Sequence, residues 1–203
     1  MKIKVAHTGP LGVNTYIAWD DNNKGFIVDL GGFTEGLAAE IAKDDIHIEY
    51  IILTHGHCDH IMGVEEAKAH YNCKVVAAKD ELPMLSDRKL NMSTDFGKTV
   101  EITPDILVED GDTLQIGDME LKFIMTPGHS VGGMCILVDD ILFSGDTLFQ
   151  GSVGRTDFVG GDMDVLRKSI HEKLFVLPED TYVLPGHMGT STIGFEKENN
   201  PFV

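Results

Sequence analysis

Thr54-His55-Gly56-His57-Cys58-Asp59-His60 follows directly on Ile48 to Leu53, a short apolar run of the kind a buried strand makes. In an extended chain, residues two apart point the same way, so His55 and His57 can reach one metal ion together. A helix beginning near Asp59 would turn Asp59 and His60 toward an adjacent position. One short loop therefore offers two pairs of ligands aimed at two neighbouring sites. Imidazole suits zinc and iron, and carboxylate completes a hard–borderline set. The competing explanation is a chance histidine-rich loop in solvent. Three His and one Asp in six residues, at a strand end and outside any low-complexity tract, weigh against it.

Further ligands are needed, and three similar chain junctions supply them. His129 lies in Thr126-Pro127-Gly128-His129-Ser130, after the run Leu121 to Met125. Asp146 lies in Phe143-Ser144-Gly145-Asp146-Thr147, after Ile141-Leu142, and His187 ends Leu184-Pro185-Gly186-His187. Each follows an apolar run, and each is preceded by a glycine that lets the backbone turn sharply. A single His or Asp after a strand is ordinarily a turn residue. The same design repeated at several junctions points to one shared metal site.

Outward from these junctions, strands are predicted over Ile3 to Ala6, Val13 to Trp19, Gly25 to Asp29 and Lys74 to Ala78. Thr34 is placed to cap a helix through Leu37, Ile41 and Ala42, and Val64 to Tyr71 has helical composition. Ile106 to Met125 reads as a β-meander with turns at Asp110-Gly111-Asp112 and Gly117-Asp118. Cys135 to Val138 and Ile141 to Phe143 form a strand pair around Asp139-Asp140. Asp164 to Leu174 reads as a helix, and Thr181 to Leu184 as a short final strand. The class is α/β or α+β, with sheets covered by helices. No linker or repeat divides residues 1–203, which are read as one domain.

The chain has 203 residues, with 33 Asp plus Glu against 16 Lys plus Arg and a formal net charge of −17. Such an acidic excess argues against nucleic acid and against an anionic membrane surface as partners. The first residues show no apolar segment of signal-peptide length, and no stretch is long enough to span a bilayer. Cys58, Cys73 and Cys135 are an odd, widely spaced set, which fits a reducing cytoplasm. Cys58 is read as a spectator whose thiol faces away from His57. His7, His47, His70 and His171 lack companion ligands and are read as surface or packing residues.

The pattern His-x-His-x-Asp-His, followed by His, Asp and His at strand ends, resembles the metallo-β-lactamase superfamily. Gly151-Ser152-Val153-Gly154-Arg155-Thr156-Asp157-Phe158, and the tail from Thr192 to Phe202, are similar to the short glyoxalase II-like hydrolases. The resemblance implies a four-layer αβ/βα sandwich with metals at one edge. Carried over by position, it implies that His55, His57 and His129 hold a first ion. Asp59, His60 and His187 would hold a second, with Asp146 bridging. Two divalent ions are implied, zinc first, with iron or manganese as alternatives. Asp146 also distinguishes the chain from the secreted antibiotic-hydrolysing branch with cysteine there, so β-lactam hydrolysis is disfavoured.

The function implied is hydrolysis of a small-molecule thioester, an S-2-hydroxyacyl-thiol, by a metal-bound hydroxide, with Asp59 orienting the nucleophile. Arg155 is expected either to contact a carboxylate of the thiol carrier or to form an ion pair with Asp157. Only 16 residues follow His187, so the C-terminal helical domain that supplies much of the glutathione site in full-length glyoxalase II is expected to be absent. The alternative from another reaction class is a mononuclear iron persulfide dioxygenase, which shares both the His-x-His-x-Asp-His motif and the Gly-Arg-Thr-Asp-Phe loop. A superfamily nuclease and a non-catalytic metal-binding protein are weaker alternatives.

Overall fold

A computed structural model describes residues 1–203. Strands β1 (Lys2–Thr8), β2 (Val13–Trp19), β3 (Lys24–Val28), β4 (His47–Ile52), β5 (Lys74–Ala78) and β6 (Ile106–Val108) form one sheet in chain order. The first three are antiparallel, and β3 through β6 run parallel. Parallel neighbours need crossover connections, which α1 (Glu35–Ala42), α2 (Cys58–Ile61) and α3 (Val64–Tyr71) provide. A short helix α4 (Leu82–Leu85) follows β5.

The second sheet begins with β7 (Thr113–Ile116), β8 (Met119–Met125), β9 (Met134–Val138) and β10 (Ile141–Gly145). A small hairpin of β11 (Leu148–Phe149) and β12 (Ser152–Val153) comes next, then α5 (Met163–Ser169). The sheet is completed by β13 (Tyr182–Pro185) and β14 (Ser191–Thr192), in the order β14-β13-β10-β9-β8-β7, and α6 (Ile193–Asn199) follows.

Strand alternation sorts the side chains into three apolar layers. Phe26, Val28 and Ile52 of the first sheet meet Leu121, Phe123, Ile136 and Phe143 of the second. On the outer face of the first sheet, Ile27, Ile48 and Ile51 pack against Ile41, Ile61, Val64 and Ala67 of the helices. On the outer face of the second, Ile124, Cys135, Leu142 and Val183 pack against Leu166 and Ile193, with Ile170 and Leu174. Helix, sheet, sheet, helix is the four-layer sandwich expected. A bulge between Gly25 and Phe26 against β4 lets Ile48 and Ile51 share the helix-facing side although they are an odd number of residues apart.

Thr34 caps α1 as predicted, its hydroxyl accepting the Leu37 N–H at 3.1 Å. Three expectations change. The stretch from Ile106 to Met125 is not one meander: β6 pairs with β5 in the first sheet, whereas β7 and β8 pair in the second. Asp110-Gly111-Asp112 is the crossing between sheets, anchored by the Asp112 carboxylate accepting the Glu109 N–H. The helix from Asp164 stops at Ser169, and Ile170–Leu174 continues as a wider π turn with Phe175 N–H donating to Ile170 O. Thr181 to Leu184 is not the final strand, because β14 and α6 follow.

All three cysteines are buried and free, and burial pushes each thiol up to about 11. His7, His47, His70 and His171 are exposed. No helix is long and apolar enough to cross a membrane.

Phe123 is fully buried between the sheets. Phe123→Ala is expected to cost about 3–5 kcal/mol of stability, read as a lowered urea midpoint with an unchanged slope.

Candidate metal centre

Strand direction brings the four junctions to one edge. β8 and β10 both run antiparallel to β9, and β10 runs parallel to β13, so the chain leaves β8, β10 and β13 on the same side. The end of β4 joins them where Met134 N–H donates to Thr54 O at 2.9 Å. The glycines contribute in two ways. Gly145 adopts φ +49, and a Cβ there would lie 2.4 Å from Thr54 Oγ1. Gly186 has no left-handed backbone. It is needed for space, because its Cβ would fall 2.5 Å from Asp146 Oδ1 and 2.7 Å from His60 Cε1.

The loop after β4 delivers His55 and His57, and α2 begins at Cys58 to carry Asp59 and His60 in a single turn. Cys58 packs in the helix-side core. Three sets of ligand atoms converge, each within 4.8 Å: His55, His57 and His129; His55, His60 and Asp146; and Asp59, His60 and His187. His129 Nε2 lies 2.9 Å from His57 Nδ1 and 3.2 Å from His55 Nε2. Across the site, His187 Nε2 lies 3.1 Å from Asp59 Oδ2. Asp146 stands between the groups, its Oδ2 3.6 Å from His129 Nε2 and 3.8 Å from His187 Nε2.

Outer contacts fix which ring nitrogens face inward. Thr54 Oγ1–H donates to Asp29 Oδ2 at 2.7 Å, so the hydroxyl oxygen is left to accept from His55 Nδ1 at 3.0 Å. His60 Nδ1–H donates to the same Asp29 oxygen at 2.7 Å, and His129 Nδ1–H donates to Arg155 O at 2.7 Å. The Nε2 lone pairs of all three rings therefore point into the site. Asp29 closes β3 in a left-handed conformation, φ +53, and also accepts the Thr54 N–H at 2.8 Å.

Protonation tendencies favour ligation at His55, His57, His129, Asp59 and Asp146, whereas the carboxylates around His60 and His187 favour the protonated rings until a cation displaces the proton. Burial and the neighbouring histidines hold His55 well below the ordinary histidine range and His57 down to about 3. Burial likewise lowers His129. For His60 burial acts in the same direction, but the Asp146, Asp59 and Asp29 carboxylates outweigh it and raise its proton affinity. Burial opposes ionisation of Asp59 and Asp146, yet the adjacent histidines hold both below the usual carboxylate range. His60 Nε2 and Asp146 Oδ1 are buried 3.4 Å apart with no hydrogen-bond partner. Inward lone pairs, ionised carboxylates and unpartnered buried acceptors fit divalent cations.

A family model described as the metallo-beta-lactamase superfamily matches residues 8–187. The chain belongs to this superfamily. It is 37% identical to the probable metallo-hydrolase YqgX of Bacillus subtilis, covering all of this chain and 98% of that protein. It is 31% identical to the hydroxyacylglutathione hydrolase GloC of Haemophilus influenzae, again over all of this chain and 98% of the relative. Among solved structures, the BLEG-1 B3 metallo-beta-lactamase superposes with a TM-score of 0.93 at 36% identity, covering 99% of each chain. Superfamily membership and this ligand cluster make the chain a metallo-hydrolase-type enzyme.

All seven expected ligands meet at the site. Arg155 lines the same cavity but is bound bidentately to Asp157, at 2.6 Å through Nε and 2.5 Å through Nη2. Several supporting residues were not singled out from sequence. The buried Glu81 carboxylate accepts N–H groups from Gly56 and Gly132 and the Ser130 hydroxyl, joining the loops that carry His57 and His129. Asn14 Nδ2 donates to the carbonyls of Pro185 and Met188, and Tyr16 Oη donates to Pro185, which fixes the turn around His187. A buried acid or amide at a strand or helix end leaves little trace in sequence until its partners are known.

Asp29→Asn preserves size but turns an amide donor toward groups that already donate. The variant is expected to stay folded by circular dichroism and to bind metal about 10–100-fold more weakly, measured by competition with a chromophoric chelator.

Proposed function

We propose that this metallo-hydrolase cleaves thioesters, with an S-2-hydroxyacyl-thiol as the model substrate and two divalent ions, zinc first, as cofactors. The observation that carries the reading is the complete second ligand set, Asp59, His60 and His187, beside the first set and across Asp146. His55, His57 and His129 would hold one ion, the second set the other, and Asp146 would lie between them. Ions held there supply Lewis acidity, bringing the pKa of a coordinated water to about 7 and polarising an acyl carbonyl.

The side chains supply the rest. The ionised Asp59 carboxylate accepts a hydrogen bond from the attacking water and orients it. The cavity, about 420 Å³, contains no Lys or Tyr, and its one Arg is paired with Asp157. With its histidines and aspartates taken up as ligands, the cavity keeps no imidazolium, ammonium or carboxylic acid free to protonate a departing group, and so favours a leaving group that departs as an anion. A thiolate does so far more readily than an alkoxide or an amide. The relationship to a hydroxyacylglutathione hydrolase supports the same bond type.

A one-iron persulfide dioxygenase would use His55 or His57 with His129 and Asp146, leaving Asp59, His60 and His187 without a role. Metal-loaded protein is expected to hydrolyse S-lactoyl-thioesters, to lose turnover on chelation and to regain it on metal return. His187→Ala is expected to lower kcat on the order of 10²-fold, the scale of losing one group that stabilises the transition state. The panel also includes oxygen uptake on glutathione persulfide and hydrolysis of a chromogenic cephalosporin. Turnover in either with none on thioesters would overturn the proposal.

A further inference from the structure

Resting on the thioesterase reading, we infer that the pocket takes its acyl group from an uncharged, apolar thiol carrier rather than from an anionic peptide thiol such as glutathione. Leu11, Met92, Phe96, Phe149, Phe158 and Met188 surround the ligands. Leu11, Phe96 and Met188 are 52%, 43% and 61% exposed at the mouth, so apolar surface is open to water where the carrier must lie. Met92 and Met188 hold left-handed backbone, φ +63 and +68, a conformation bulky side chains seldom adopt. The Met188 carbonyl is held there by Asn14 Nδ2 at 3.0 Å. Met188 thus presents a polarizable thioether at the opening, and Met92, packed in part against the helix-side core, lines the cavity behind it, both suited to a sulfur-bearing or alkyl ligand.

Charge leads to the same conclusion. Glutathione brings two carboxylates and one ammonium, and recognising it calls for free cations. Arg155 is the one Lys or Arg lining the cavity, and its fork is occupied by both Asp157 oxygens while its guanidinium lies 4.0 Å above the Phe158 ring. A substrate carboxylate that displaced Asp157 would exchange one carboxylate for another and leave the displaced one beside it. The net charge of −17 adds repulsion as an anion approaches. A neutral carrier meets neither cost and covers the exposed rim.

The test is calorimetric titration of metal-loaded protein with two inert thioethers, S-hexyl-N-acetylcysteamine and S-hexylglutathione, which share an alkyl chain and differ in carrier charge. The neutral ligand is expected to bind at least about tenfold tighter, the scale on which unpaired like charges discriminate. Higher salt is expected to narrow the gap, and Asp157→Asn, which frees the Arg155 fork, to strengthen S-hexylglutathione binding. Equal or tighter binding of S-hexylglutathione by the wild-type protein, or a gap unmoved by Asp157→Asn, overturns the inference. Because binding is read without turnover, this result is independent of the thioester panel: loss of thioesterase activity would sink the reaction and leave the carrier preference measured.

Discussion

His57 Nδ1, His129 Nε2 and His55 Nε2 meet at 2.9 and 3.2 Å in a buried space. Separations this short between ring nitrogens normally mean that one donates a proton to the other. Here His55 and His129 have already committed their protons outward, to Thr54 Oγ1 and Arg155 O. The Nε2 lone pairs of His55 and His129 are consequently held face to face at 3.2 Å, an arrangement that is unfavourable without a positive charge or the His57 Nδ1 proton directed at them. The outward bonds keep the His55 and His129 rings from rotating to relieve it. Much of the architecture around the site can be read as the means of holding that arrangement.

Three buried carboxylates do most of the holding. Asp29 ties the end of β3 to Thr54 and His60, and Glu81 ties the Gly56 loop to the Ser130–Gly132 loop. Glu196 of α6 accepts from Gly151, Ser191 and Asn200, fixing the segment that leads to Arg155. A buried carboxylate is tolerable only when its oxygens are saturated with donors, and each of these gathers donors from separate loops. The loops therefore cannot shift independently, so ligands far apart in sequence keep a common geometry. The same saturation explains why acids that never touch a metal are as deeply buried as the ligands themselves.

The candidate ligands at strand ends and the mixed α/β class were legible because both follow from local rules, whereas the four-layer sandwich and the division of the ligands into two sets came with the superfamily resemblance. Alternating or apolar runs define strands, and a His or Asp immediately after a run lies at a sheet edge. What could not be read was which edge or which partner. Ile106 to Val108 has the same apolar character whether it joins β5 or β7, so its place in the first sheet depends on pairing across the fold. Asp29, ahead of Gly31 and Gly32, reads equally as a turn residue or as a support for the metal ligands, and Glu81 has the composition of a solvated charge. Only tertiary contacts make one a histidine anchor and the other a loop clamp. Gly186 shows the limit from the other side: the position was recognised, but its reason is the approach of Asp146 and His60 rather than a turn.

The molecule separates chemistry from recognition along the same line. Groups that would act on the scissile bond project from strand ends and a one-turn helix, where backbone hydrogen bonding and buried acids fix them. Residues around the mouth of the cavity lie elsewhere, Leu11 and Met188 on loops and Met92 and Phe96 at the two ends of a single 3-10 turn, and none of them forms a side-chain hydrogen bond. Such positions can change without disturbing the ligand geometry, which accounts for a 31% identical hydrolase and a 36% identical β-lactamase both fitting the chain over nearly its whole length. Overall similarity therefore ranks substrates poorly within this superfamily. The character of the mouth is the better guide, and in this chain it combines exposed apolar side chains with a cation already neutralised by its neighbour two residues on.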